Sequence, residues 1–416
     1  MFPSYTDAQI QFILDDRSEI TLSWEEITGR FNSKFKTNKS KNAIQKAFER
    51  YKNINLAEDN YLNNIKKIYT TQRSNSQIAK ENKVLLEQLT NSDEIKKSIQ
   101  EIIKHTKFKI YPIPKIKSKK IIDRTIIAHL SDTHYGAVIH KKHNGGINKY
   151  NGEIAARRTA YFFWQIAEYA KKDLSTTNLE LLINGDVFAG MIHDREGVEL
   201  LTQQFNIVIS ILGQGITYLA NHFPKVTVRV TSGNHDRKVI EKDTGRAIVN
   251  KFDSYATMAY IALKRELKRY KNINFIVEEK PFLDFKVFDY RIYATHGDTM
   301  FNVGVPSKNI RMNEISAQIN RINNSDLVKE KKFDMFFLAH MHTPVVTTAE
   351  GGEFVFINGS LVGLDSFAQS IGININNPIQ QFVELTEKHI GNMRFCSLSE
   401  ADENPSWDSI ICILDK

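Results

Sequence analysis

Along the first fifty residues the apolar positions recur at helical spacing. Ile10, Ile13 and Leu14 share one face behind Thr6 and Asp7, which can cap a helix. Ser23 opens S-W-E-E, a capping box with Glu26 at the third helical position, and Trp24, Ile27 and Phe31 then line one face. Ser40 can cap a third helix with Ile44, Phe48 and Tyr51 turned inward. Residues 1–53 therefore read as a small all-α unit. Residues 54–105 are polar and helix-prone, with an apolar stripe of Ile78, Leu85, Leu89, Ile95, Ile99 and Ile102 broken at Ser92 and Asp93. The spacing is not a strict heptad, so this connector is either a coiled-coil arm joining protomers or a helix packed on the following domain. Pro112, Pro114 and six lysines make 106–120 a basic linker.

From about residue 121 the period changes. TIIAHLS (125–131), LELLIN (179–184), VTVRVTS (226–232), INFIVEE (273–279), RIYATH (291–296), DMFFLAH (334–340) and EFVFIN (353–358) read as strands. Helical stretches, notably 153–172 and 246–270, separate them. The alternation predicts a layered α/β domain over 121–365, with helices covering sheet. The tail, 366–416, holds strand-like V-E-L-T and a late apolar run near 410–414, and reads as a C-terminal cap or interaction segment.

Charge changes the picture at one end only. Residues 1–120 carry 23 Lys and Arg against 14 Asp and Glu, a net of +9, whereas the rest carries −1. Lys34, Lys36, Lys39, Lys41, Lys46, Arg50 and Lys52 lie between and on the second and third helices, in a stretch (34–52) whose one acidic residue is Glu49. The three-helix unit resembles a helix-turn-helix of the Myb or homeodomain-like kind. That resemblance implies a third helix in a major groove with these cations on phosphates. A small helical packing module with a solvated basic surface is the plain alternative. Two cysteines, Cys396 and Cys412, are too few for a disulfide framework, which makes a reducing, cytoplasmic setting the expectation. No apolar run approaches the ~20 residues needed to span a bilayer, and the opening MFPSYTDAQI lacks a secretion pattern. The Lys-, Asn- and Ile-rich composition suggests an AT-rich genome such as a phage's.

Candidate chemistry sits at the ends of the apolar runs, where α/β folds place it. The first ends in S-D-T-H-Y-G (Asp132, His134), the second in N-G-D (Asp186), the third in S-G-N-H-D (Asn234, His235, Asp236). Two more end in T-H-G-D (His296) and A-H-M-H (His340, His342). Each piece alone is weak. Five of the twelve histidines stand in these segments, and every segment follows a strand-like run, so the set is far more specific than its parts.

In type and order these segments resemble the calcineurin-like metallophosphoesterase superfamily over about 125–360, with Ala339 where the family usually has Gly. The resemblance implies a layered β-sandwich flanked by helices and two divalent cations. Asp132, His134, Asp186 and His342 would hold the first. Asp186, Asn234, His296 and His340 would hold the second, so that Asp186 bridges. Such mixed ligands suit Mn²⁺, with Fe²⁺ and Zn²⁺ as alternatives. The cations would activate water and neutralise phosphoryl oxygens. His235 would serve the leaving group, oriented and charged by Asp236. His193 and Arg195, just after the Asp186 loop, would touch substrate phosphate or belong to a plain surface loop. His129 reads as structural.

S-D-T-H-Y-G and G-D-V-F are closest in wording to the double-strand-break repair DNA exonucleases, though Ala189 replaces an Asp often found there. With the basic N-terminal third, this makes a DNase, exo- or endonucleolytic, the leading expectation. A homo-oligomer is expected, no membrane partner is, and a partner ATPase is left open. The rivals are a phosphatase or nucleotide phosphodiesterase with an oligomerising N-terminal region, and a DNA-binding regulator with a vestigial centre.

Overall fold

The structure is a computed structural model and describes residues 5–18, 22–52, 97, 101, 124–171, 177–190, 197–237, 251–300, 311–325, 327–328, 331–364 and 377–413. The chain divides into two units, Met1–Glu94 and Ile95–Lys416. In the first, helices form where their caps place them. α1 (Asp7–Ser18) follows Thr6, whose hydroxyl accepts from Gln9 N–H at 3.3 Å while Gln9 Oε1 accepts from Thr6 N–H at 3.0 Å. α2 (Trp24–Phe35) completes the Ser23–Glu26 capping box. α3 (Lys41–Tyr51) begins at Ser40, whose side chain accepts from Ala43 N–H. Ile13, Ile27, Phe31, Ile44 and Ala47 form the core, with Phe12, Trp24, Phe35 and Phe48 packed around it. Leu14 is half-buried, and the side chain of Tyr51 lies outside the described residues. So do the expected connector and linker, 54–120, apart from Lys97 and Glu101.

The second unit is built on two sheets. β1 (Arg124–Leu130), β2 (Thr177–Asn184), β3 (Val226–Thr231) and β4 (Ile273–Val277) pair in parallel in that order. The other sheet holds β5 (Leu283–Val287), β6 (Tyr290–Ala294), β7 (Met335–Leu338), β8 (Val345–Thr348) and β9 (Phe354–Ile357), in the order β5-β6-β7-β9-β8. Its β6, β7 and β9 are parallel, with an antiparallel strand at each edge. Alternation along β1 shows why layers form. Ile126, Ala128 and Leu130 pack in the cluster that includes α4 (Gly152–Lys171), α5 (Leu201–Ala220) and α6 (Tyr255–Leu267). Ile127 turns the other way and meets Leu182, Phe285, Met335, Phe337 and Phe356 between the sheets. α7 (Met312–Asn323) covers the far face through Ile315 and Ile319. Each buried Ile or Phe contributes about 1.5–3 kcal/mol. The result is an α/β sandwich with helices on both outer faces.

Two expectations change, and one helix was not expected. The tail is not a separate cap. Its β10 (Ile379–Thr386) pairs antiparallel with β1, and β11 (Ile390–Ser397) pairs with β10, completing a six-stranded sheet. Without β10, β1, buried from Thr125 to Leu130, would present an unpaired edge of backbone donors and acceptors. The helix expected over 246–270 is described as Tyr255–Leu267, because Ser254 caps it by accepting from Thr257 N–H. α5 has buried residues on every side, so its sequence lacks the polar face that marks most helices. Among the described residues, no helix is long and apolar enough to cross a membrane.

The tail's thiols offer a check on this placement. Cys396 lies in β11 and is buried, which pushes its thiol up to about 12, whereas Cys412 is exposed. Thiolate is the reacting form, so the native protein should titrate with one fast thiol, and Cys396 should react at least about 100-fold more slowly until unfolding. Two equally fast thiols in Ellman's assay would show that β11 is not packed as described.

Candidate metal centre

Parallel strands deliver their C-terminal loops to one edge, so residues far apart in sequence converge there. The loop after β1 brings Asp132 and His134, that after β2 Asp186, and that after β3 Asn234 and His235. The second sheet adds His296 after β6, and His340 and His342 after β7. Three groups of ligand atoms result, each within 4.8 Å: Asp132–His134–His342, Asp186–His296–His340, and His134–Asp186–His235. His134 Nε2 and His342 Nε2 stand 3.3 Å apart, and His342 Nε2 lies 3.3 Å from Asp132 Oδ1. His296 Nε2 lies 3.1 Å from Asp186 Oδ2 and 3.2 Å from Asn234 Oδ1. A distance of 4.0 Å from His296 Nε2 to Asp132 Oδ1 joins the two sides.

The backbone is bent to make this possible. Asp132, His134, Asp186, His340 and His342 all have φ between 42° and 71°, the left-handed region that non-glycine residues rarely enter. Each such residue costs about 1–3 kcal/mol, which the surrounding fold must offset. Their concentration at one edge is the mark of a functional site. Two glycines let the loops touch. A Cβ on Gly185 (φ 81°) would lie 2.7 Å from both Gly233 N and His296 Nδ1. A Cβ on Gly233 would run into Asp186 Oδ1 and lie 2.6 Å from Asp186 N.

The surrounding hydrogen bonds correct one assignment. Asp236 does not orient His235; its carboxylate accepts the backbone N–H groups of Asp186 (2.9 Å), Phe188 (3.0 Å) and Gly233 (2.7 Å). It thereby clamps the Asp186 loop to the Gly233 loop. Two of these donors meet Oδ2 and the third meets Oδ1. His235 is held instead by Nδ1–H donating to Ala189 O at 2.9 Å, with its backbone N–H on Asp186 Oδ1 at 2.8 Å. Its ring packs edge-on against His134, with centroids 4.6 Å apart. His296 is fixed through Nδ1–H to Asn184 O at 2.9 Å. Ala339 is buried, and its N–H donates to His296 O at 2.8 Å, so the methyl in place of glycine is accommodated.

Electrostatics shows what the pocket can hold. Burial works against ionisation of Asp132 and Asp186, yet His342 beside the first and His296 beside the second keep both below the usual carboxylate range. Burial would likewise depress His296, but Asp186 and then Asp132 hold it up to about 10. His340 falls to about 4 through burial and then the positive His296. Asp236 rises to about 7 through burial and then the Asp186 charge. Two buried carboxylates require positive charge between them, and the imidazoles supply it only by taking up protons. Asp132 Oδ1 is buried without a hydrogen bond. Carboxylate, amide and imidazole donors in this arrangement fit divalent transition cations.

His193 and Arg195 lie outside the described residues. The seven cations expected to contact DNA belong to the helical unit. His129 is buried, 3.1 Å from Asn184 Nδ2, and depressed to about 3 by burial, as a structural residue would be. Sequence reasoning missed Asn184 itself. Its Nδ2 donates to Thr295 O and its Oδ1 accepts from Thr231 Oγ1, so it staples the two sheets beneath the ligands. The N-G-D segment carried that signal, since a polar residue ending an apolar strand asks for a partner.

A layered α/β fold with two adjoining Asp/His clusters on its strand-end loops is the scaffold of a metal-dependent hydrolase. Residues 125–361 match the calcineurin-like phosphoesterase family, and the chain belongs to it. That family typically binds two divalent metals. Solved structures similar in fold include a dimetal phosphatase from Danio rerio (9% identity, 66% of this chain and 99% of that one, TM-score 0.35). Vps29 from Entamoeba histolytica (10%, 67% and 94%, TM-score 0.31) and a 5'-nucleotidase from Candida albicans (10%, 73% and 56%, TM-score 0.29) are also similar. No curated protein matches the chain at a significant level.

Proposed function

We propose that this chain is a two-metal phosphodiesterase acting on DNA, with Mn²⁺ as its working cation. Divalent cations on the two clusters supply charge neutralisation of the phosphoryl group and acidify a water nucleophile. The chain's own residues do the rest. Asp186 holds the clusters together, and Asn234 adds a neutral oxygen. His235 is pinned at Nδ1 by Ala189 O, and its imidazole would carry a proton to the leaving oxygen.

DNA as substrate rests on one observation: the phosphoesterase unit shares its chain with a three-helix unit inside the +9 segment. Within that unit the cations differ. Lys41 pairs with Glu25 and Lys52 with Glu49, while Lys34 lies over Phe12 and Lys39 over Tyr5. Lys36, Lys46 and Arg50 are exposed, and Lys46 and Arg50 lie four residues apart on one face of α3. Lys36 and Lys46 are therefore the best phosphate contacts, with Arg50 beside Lys46 on the same face.

Linear and circular DNA incubated with the Mn²⁺-loaded protein tests the reading. Cleavage should exceed that of an Asp132→Ala, His235→Ala double variant at least about 1,000-fold. Product ends then separate exo- from endonucleolytic action. Lys46→Glu with Arg50→Glu should weaken DNA binding about 10-fold or more and flatten its salt dependence, with hydrolysis of bis(p-nitrophenyl) phosphate unchanged. Turnover of that small diester with no DNA affinity would replace DNA by a nucleotide or phosphoprotein substrate.

A further inference from the structure

Arg237 directly follows Asp236, and Asp298 lies two residues past His296, so this pair joins two ligand-bearing loops. Arg237 Nη2 lies 2.8 Å from Asp298 Oδ2, and Lys251 Nζ contacts the other carboxylate oxygen. All three side chains are largely withdrawn from water, at 14%, 7% and 8% exposure for Arg237, Asp298 and Lys251. Two cations on one carboxylate leave one positive charge without a counter-charge in the trio. Withdrawing such a charge from water is costly unless an anion meets it. Arg237 Nε is also buried with no hydrogen-bond partner. A guanidinium offers Nε–H and Nη–H as a planar fork that matches phosphate oxygens. Asp298 lies two residues past His296, so the trio shares a loop with a member of the Asp186–His296–His340 cluster.

We propose that Arg237 is a substrate-positioning residue whose Nε edge takes a non-bridging phosphate oxygen. Asp298 fixes the plane of the guanidinium. Lys251, by sharing Asp298, keeps that carboxylate from neutralising the arginine. This assignment rests on the phosphoesterase reading of the neighbouring clusters. The rival role is a plain tie between loops. Removing Arg237 discriminates the two, because Lys251 still pairs Asp298 and no buried charge is left alone.

The test compares full-length Arg237→Gln and Arg237→Lys with the parent, all loaded with Mn²⁺. A charged hydrogen bond to phosphate predicts a KM for bis(p-nitrophenyl) phosphate and an inhibition constant for inorganic phosphate raised about 10- to 100-fold in Arg237→Gln. kcat should change by less than about threefold, metal content should hold at the parent's value, and Arg237→Lys should recover part of the loss. Unchanged phosphate inhibition with a lowered melting temperature overturns the proposal in favour of a loop tie. Calorimetric titration of inorganic phosphate keeps the two readings apart. If the parent hydrolyses no phosphoester, the phosphoesterase reading falls, and weaker phosphate binding by Arg237→Gln still supports the arginine's role. Equal binding by parent and variant, or no phosphate binding by either, overturns it.

Discussion

Asp186→Asn should lower metal-dependent phosphoester hydrolysis by about 10⁴-fold and reduce bound metal from two equivalents to at most one. The size follows from the position of this carboxylate. Oδ2 lies 3.1 Å from His296 Nε2, Oδ1 accepts His235 N–H at 2.8 Å, and the residue belongs to two of the three ligand groups. An amide keeps the shape and the acceptor for His235 N–H, so the loop stays in place while the shared negative charge is lost. A ligand common to both cations loses its effect on each, and about 5 kcal/mol of transition-state stabilisation corresponds to that rate. Asn234, already a neutral oxygen, cannot replace it. Metal content by plasma emission and turnover of bis(p-nitrophenyl) phosphate decide the matter together. An Asn variant that keeps two metals and a tenth of the activity would show that Asp186 is not shared.

Why that carboxylate was legible in sequence, and others were not, is a matter of range. Asp132, Asp186 and His296 each end an apolar run of five to eight residues, and the run itself predicts the strand that carries them. Their convergence follows once the strands are parallel, since the loops then share an edge. The anchors are different. His235 is held by the main chain of Ala189, and a carbonyl leaves no mark in the side-chain pattern. Asp236 looked like a partner for its neighbour because adjacency in sequence was the only geometry available. Two of its three backbone donors lie 48 and 50 residues away, at Phe188 and Asp186. β10 was missed as a central strand because Gln380, Gln381 and Glu384 interrupt its apolar pattern. All three are buried. Gln380 Oε1 accepts Ser131 N–H, one residue before Asp132, so these polar positions serve the site from within the sheet. Arg237, Lys251 and Asp298 were invisible for the same reason, being brought together only by the loops.

The tail's part in the catalytic unit leads to the largest expected effect on stability. Arg158→Met should lower the melting temperature by about 5–10 °C, corresponding to about 3–5 kcal/mol in a unit of this size. Arg158, on α4, is 1% exposed. Its Nε and Nη2 donate to the two carboxylate oxygens of Asp402, both at 2.7 Å, across 244 residues of sequence. Its Nη1 donates to Leu361 O at 2.7 Å and Val362 O at 2.8 Å, and Nη2 reaches Asn148 Oδ1 at 3.2 Å. Leu361 N–H in turn donates to Asp132 O at 3.1 Å, so one guanidinium ties the tail, α4 and the Asp132 loop together. Methionine fills the volume of the stem but leaves Asp402 without its cation and two carbonyls without those donors. Arg158→Lys should recover less than half of the loss, because an ammonium cannot reproduce the planar fork. Asp402→Asn should destabilise by a similar amount, now through an unpaired buried arginine. The double variant Arg158→Met, Asp402→Asn should lose less than the two single losses added, as coupled partners do. Calorimetric melting of the four variants reads this out. A Met variant melting within about 2 °C of the parent would mean that the tail is held by its apolar contacts and by β10 alone.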